Sequence, residues 1–357
     1  MTLTEVSYYT RKFAPVGIIT GLVILIFVFG FRLLLLYLEI QSTAPKPVAD
    51  TTPVATDQIF GPIKRPQITD AKPSSNYTWV LDTLDGTPNV DEATSAANVY
   101  FVPQQTATFG FLAKIYAMAK AAGIDTDIIQ HQLQDKTAVF DDGVRKMSID
   151  IRTFNFTYDY KVTDADNVDT VVDPNLESTV VSDATAFLTN VGRYPTPLSL
   201  GDKNVIYMRL DPTTREVATL NNPAGSNMAE VDFFPEDIDG LPVVTSTYYN
   251  SPNYVLFLTG GDDNRPIRAR ISYFEMSPDQ VGLYPLRSAQ QAWDDLQKGK
   301  GMVVSAGAAN GEVKIQKVFM AYYEPDTYQE YVQPVYVFLG ENRVVAYVTA
   351  VADEALQ

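Results

Sequence analysis

The sequence predicts an α+β protein: an N-terminal transmembrane helix followed by an extracytoplasmic domain of antiparallel sheets with a few packed helices. Three observations predict it. Residues 16–38 form one apolar run, helix-like stretches near 107, 182 and 289 each precede β-rich ones, and short strand-like segments are separated by Gly, Asn and Asp turn signals. Helices set apart from runs of strands argue antiparallel sheets, in contrast to the strict alternation of a doubly wound fold. The recurrence of helix then strands is compatible with a duplicated layout.

The apolar run reads VGIITGLVILIFVFGFRLLLLYL. As a helix it is about 34 Å long, enough for a hydrocarbon core of about 30 Å. Signal-peptide apolar cores are shorter and end at small residues. This run ends at Tyr37, Leu38 and Glu39, so an uncleaved anchor is expected over 16–40. Arg11 and Lys12 precede it, and no Lys or Arg follows it until Lys46. That bias keeps residues 1–15 in the cytoplasm and sends residues after about 41 outward. The expected location is the cell membrane, in a single pass. Arg32 lies near the outer end, where its stem can snorkel to the headgroups or its charge can meet an acid on a partner helix. Gly17 and Gly21 have the spacing that lets a second helix approach.

Residues 41–75 read as a Pro-rich tether, with Pro45, Pro47, Pro53, Pro62, Pro66 and Pro73 stiffening an extended chain. Within it, 58–63 is apolar enough to dock on the domain. An α+β region is expected over 76–275, beginning with strands at 77–82 and 98–102. A helix over 106–122 carries Phe109, Leu112, Ile115, Tyr116 and Ala119 on one face and stops at Gly123. Asp141, Asp142 and Gly143 turn a hairpin between 136–140 and 146–162. A short helix over 181–191, with Ser182 as N-cap and Gly192 as stop, precedes strands near 203–210, 215–220, 229–234, 241–248, 253–259 and 266–275. A C-terminal module over 276–357 opens with a helix whose Ser288 and Gln291 have capping-box spacing. Ala289, Ala292, Trp293 and Leu296 form its apolar face, and strands at 311–323, 331–339 and 343–351 complete the module, the last two joined at Glu341 and Asn342.

Composition narrows the chemistry. The chain has no Cys, which excludes disulfides, thiolate metal sites, a cysteine nucleophile and a lipid-bearing cysteine. The net charge is -16; residues 1–41 carry +1 (Arg11, Lys12 and Arg32 against Glu5 and Glu39), which leaves -17 on the rest. So acidic a domain repels nucleic acid and anionic lipid. The single histidine, His131, has no accompanying nucleophile motif, and no zinc-protease helix, phosphate loop or dinucleotide fingerprint occurs. Asp164, Asp166 and Asp169 resemble part of a calcium loop but lack its glycine and distal glutamate. No catalytic residue, metal or cofactor is expected. Tyr322, Tyr323, Tyr328 and Tyr331 combine an apolar ring with a polar tip, suiting either a partner or glycan surface or the edge of a core.

Three segments of the C-terminal third, YPLRSAQQAWDDLQKGKG (284–301), VKIQKVFMAYYEP (313–325) and VQPVYVFLGENRVVAYVTAV (332–351), resemble the closing module of the YycH/YycI-type regulators and related PepSY-like modules. Topology resembles them too: a short cytoplasmic tail, one helix and a large exported part. The resemblance implies a non-enzymatic protein whose anchor and ectodomain contact a membrane partner, a sensor histidine kinase in that family. A structural or glycan-binding envelope module is the alternative, and an envelope hydrolase comes third. The hydrolase would require a pocket holding two or more acids of raised pKa.

Overall fold

The computed structural model describes residues 25–26, 28–32, 56–88, 90, 94–163, 166, 177–259, 264–307 and 311–357. The chain divides into two compact units, Met1–Thr52 and Pro53–Gln357. In the first, residues 25–26 and 28–32 are helical, and the side chains of Leu25, Ile26, Val28, Phe29, Phe31 and Arg32 are exposed. Gly17, Gly21 and the rest of the apolar run lie outside the described residues, as does 41–55 of the expected tether. Among the described residues no helix is long and apolar enough to cross a membrane.

Among the described residues the second unit is α+β, with two nine-stranded sheets. The first is antiparallel throughout. Its order is Gln132–Gln134, Thr137–Asp141, Arg145–Asp150, Phe156–Tyr160, Arg265–Ile271, Tyr254–Leu258, Met228–Phe233, Lys203–Leu210 and Val217–Thr219. Alternate residues bury on one face, among them Ala138, Phe140, Met147, Ile149, Ala229, Val231 and Phe233. Helices α1 (Phe111–Ala121) and α2 (Glu177–Val191) cover that face. α2 contributes Val180, Ala184 and Leu188, one turn apart, and Gly192 ends it at φ 78°. α2 already includes Ser182, an exposed residue inside the helix where an N-cap was expected. α1 is shorter than predicted because Gly110, at φ 94°, starts it. Phe109 therefore precedes the helix fully exposed, Leu112 is about half exposed, and the buried stripe is Ile115, Met118 and Ala119. A five-residue helix, α3 (Thr196–Leu200), follows.

The second sheet runs Lys72–Pro73, Met302–Ser305, Val345–Thr349, Tyr331–Gly340, Glu312–Tyr323 and Val243–Val244. Thr78–Leu81 joins the start of Glu312–Tyr323 in parallel, and Ala96–Phe101 bridges Val281–Pro285 to Tyr331 and Val332. Helix α4 (Ala289–Gln297) buries Ala292, Trp293 and Leu296 on this sheet, and the predicted capping box forms at Ser288 and Gln291. The two sheets have different strand orders, and among the described residues only the second contains parallel pairs.

Two expected boundaries need correction. Residues 57–73 are not a free tether. Asp57 bridges Leu283, Ile63 bridges Leu356 and is fully buried, and Lys72 pairs with Val303. Phe60 packs 5.2 Å from the Tyr331 ring. Its apolar residues outweigh its prolines, as the 58–63 stretch suggested. Nor does a division at 275/276 follow the sheets, because strands at 72–101 hydrogen-bond to strands beyond 280. The strand expected over 241–248 is reduced to Val243–Val244.

A candidate binding cavity between the two sheets

The strand Glu312–Tyr323 alternates apolar and polar residues along its first half, then becomes continuously buried through Ala321, Tyr322 and Tyr323. The next residue, Glu324, is also buried, at 6 % exposure. Its N–H donates to the Val244 carbonyl (2.9 Å), and Pro325 follows. The chain is thereby pinned where a carboxylate enters the interior.

Among the described residues neither oxygen of Glu324 has a hydrogen-bond partner. Burial alone holds its carboxyl up at about 8, so the group is mostly neutral at pH 7. It lines a cavity of about 220 Å³. Tyr100, Val102, Val243 and Val332 come from the second sheet or its edges, and Pro197, Tyr273, Phe274 and Met276 from the first sheet and its connections. The lining is mostly apolar. Its exposed members include Glu236, Asp237 and Asp239, which put three carboxylates around the entrance.

Asp239 adopts φ 53° and is followed by Gly240 at φ 75°. It accepts from the Tyr100 hydroxyl (2.7 Å), the Tyr322 hydroxyl (2.8 Å) and Asn98 Nδ2 (3.1 Å). These bonds fix the loop against the second sheet. Burial, then the bond to Asp239, pushes Tyr100 up to about 12, and Tyr322 is raised further by the same causes. Tyr273 is raised by burial first and by the nearby Glu324 second.

The four tyrosines singled out from the sequence separate. Tyr322 and Tyr323 are core residues, 0 % and 1 % exposed, and present no surface. Their rings point to opposite faces, and their hydroxyls reach Asp239 and the Gln67 carbonyl (3.3 Å). Tyr328 is exposed and Tyr331 half-buried. Both line a second, polar pocket of about 360 Å³ with Gln67, Gln104, Gln329 and Gln333. There Gln333, 2 % exposed, donates to the Lys64 carbonyl while its Oε1 has no partner among the described residues.

His131 sits 3.2 Å from the Tyr116 hydroxyl, with its ring against Tyr116 and Phe140. Asp164 and Asp169 lie outside the described residues. Asp166 accepts from Tyr160, Thr163 and Arg265, so its lone pairs are engaged by protein donors. A second acid of raised pKa, Asp232 at about 7 through burial and the neighbouring Glu230, is not among the residues lining the Glu324 cavity.

Sequence reasoning missed Glu324, Tyr273 and Asp239. For Glu324 the available signal was an acid at the end of an apolar strand, directly before proline. No family model and no curated protein matches the chain. Among solved structures it is similar to an uncharacterised protein from Eubacterium rectale, with a TM-score of 0.33 and 11 % identity over 72 % of this chain and 84 % of that one.

Proposed function

We propose that the chain is a membrane-anchored, extracytoplasmic regulatory module without chemistry of its own. Residues 16–40 hold it in the bilayer, with the N-terminus inside, and the folded unit responds to a small ligand and engages a partner in the same membrane. Confinement to two dimensions raises the effective concentration of that partner. The observation that carries the reading is the Glu324 cavity. An unpaired polar group buried in a mostly apolar pocket is the usual form of a small-molecule site, and both sheets supply its walls. The resemblance of 284–351 to the YycH/YycI-type regulators is the reason for naming a sensor kinase as the partner class.

The test is photo-crosslinking of the full chain in native membranes, from positions 32 and 328, together with protease added from outside. Capture of an integral membrane protein and cleavage confined to the region beyond residue 41 are the expected results. If neither the anchor nor the folded unit captures a protein, the regulatory reading fails.

One observation favours the glycan-binding alternative: the pocket lined by four glutamines, Tyr328 and Tyr331. Amide and tyrosine side chains suit the hydroxyls and ring faces of a sugar. Binding of the full chain to isolated cell-wall glycan, lost in Tyr328→Ala and Gln333→Leu, would favour that reading.

A further inference from the structure

We infer that the Glu324 cavity binds a small organic cation, an ammonium group carried on an apolar body. This rests on the ligand-binding part of the proposed function and adds the chemical class of the ligand.

Charge is the first argument. Glu236, Asp237 and Asp239 line the cavity around its entrance, and no Lys, Arg or His is among the described residues that line it. The cations close by are committed. Arg193 bonds Glu275, Asn155 and the Tyr273 carbonyl, and Arg270 lies 3.9 Å from Asp326. An anion would meet uncompensated negative charge from Glu236 and Asp237, whereas a cation would be drawn in.

Hydrogen bonding is the second. Asp239 already accepts from three protein donors, so it contributes field but little free acceptor capacity. Glu324 is the reverse: its two oxygens are buried and, among the described residues, accept no hydrogen bond. An ammonium group supplies three N–H donors and the positive charge that a buried carboxylate lacks. The rings of Tyr100, Tyr273 and Phe274 line the same space and offer faces to a cation or to its apolar body. At about 220 Å³ the cavity lies below the roughly 300–1,000 Å³ common for ligand sites, which favours a small amine over a peptide.

Titration follows from the geometry. Tyr273 and Tyr323 interact with Glu324, Glu236, Asp237 and Asp239 line the same cavity, and Asp326 lies two residues along the chain. None is a cation able to hold the carboxylate form. Binding of an ammonium group therefore drives the Glu324 proton into solvent, and affinity rises with pH until that proton is already gone.

The test is calorimetric titration of the full chain in detergent with benzylammonium chloride, and with benzyl alcohol as the neutral analogue, at pH 6, 7 and 8. Repeating it in two buffers of different ionisation enthalpy counts protons. The expected result is one site, an affinity gain approaching tenfold per pH unit between 6 and 7 and flattening near 8, and release of close to one proton at pH 6. Glu324→Gln should lower the affinity about tenfold or more and abolish proton release. Glu236→Gln with Asp237→Asn should weaken binding several-fold while proton release persists, a readout that holds even if the Glu324 variant folds poorly. Benzyl alcohol binding as tightly as benzylammonium would overturn the cation assignment while leaving a ligand cavity in place. No binding of benzylammonium, or binding unchanged in Glu324→Gln, would overturn the inference outright. None of these outcomes bears on whether crosslinking finds a membrane partner.

Discussion

Replacing Glu324 by Gln should change how stability depends on pH. The carboxyl titrates at about 8 in the folded protein against an ordinary 4.5. Between those values the folded protein keeps a proton that the unfolded chain has released. The group's contribution is therefore complete below about pH 4.5 and is lost as pH rises toward 8. Each pH unit in that window costs about 1.4 kcal/mol. Between pH 5 and pH 8 the wild type should lose on the order of 4 kcal/mol through this residue alone, an upper bound because water reaching the cavity would soften the slope. Asp232, raised to about 7 by burial and by Glu230, adds a similar slope, but it does so in both proteins and cancels in the comparison. Glutamine keeps the shape and cannot ionise. Urea unfolding of the full chain across this range, followed by circular dichroism, should give Glu324→Gln near the wild type at pH 5 and clearly more stable at pH 8. Parallel curves would refute the placement of Glu324 as an unpaired buried acid.

Three further outcomes follow from the packing. Ser288→Ala removes the side chain that accepts from Gln291 N in the capping box and should cost about 1 kcal/mol of unfolding free energy; an unchanged urea midpoint would mean that the box does not form. Arg287→Leu breaks a buried set in which the guanidinium donates to Asp295, Asp353 and the Val351 carbonyl, leaving Asp295 with Lys300 alone. It should cost about 3–5 kcal/mol in the same assay. Gly201→Ala would push a methyl into the Phe234 carbonyl and Pro235, just before the loop that carries Glu236 to Asp239. Overpacking of this kind costs about 1–3 kcal/mol, and a loss of cation binding larger than the loss of stability is expected.

What could be read from the sequence was what neighbouring residues decide among themselves. Asp141 to Gly143 specify their hairpin through local turn chemistry, and Gly123, Gly192 and Gly299 end their helices at positive φ. The capping box needed only Ser288 and Gln291, three residues apart. Pairings between distant segments left no such trace. Nothing in Thr78–Leu81 announces a parallel partner more than two hundred residues away at Glu312–Ile315, and nothing in a proline-rich stretch shows Ile63 reaching Leu356. The tyrosines illustrate the same limit. Alternation along one strand puts Tyr322 and Tyr323 on opposite faces, yet both faces are covered: Ile238, Phe274 and Met276 pack in the cluster of Tyr322, and Ile68, Tyr248 and Tyr249 in that of Tyr323. A burial that depends on three separated segments is invisible to a pattern read along one.

The same long-range covering explains why an unpaired acid sits where it does. Along Glu312–Tyr323 the polar positions of the first half stay exposed, since the sheet is covered there on one side by α4. At its far end the strand pairs in parallel with Val243–Val244 and leads to the connection leaving the first sheet, where Ser272 Oγ donates to the Asp326 carbonyl at 2.7 Å. Glu324 falls between these two fastenings. Its backbone N–H is tied to Val244 within the second sheet, and Asp326 two residues on is tied to Ser272 beyond the first, while the Glu324 side chain is buried. The carboxyl is left to choose between staying neutral and finding a donor, and the described residues give it none. That choice is set by covalent order, one residue past a buried strand and one before Pro325, and it is what makes this cavity chemically different from a packing defect.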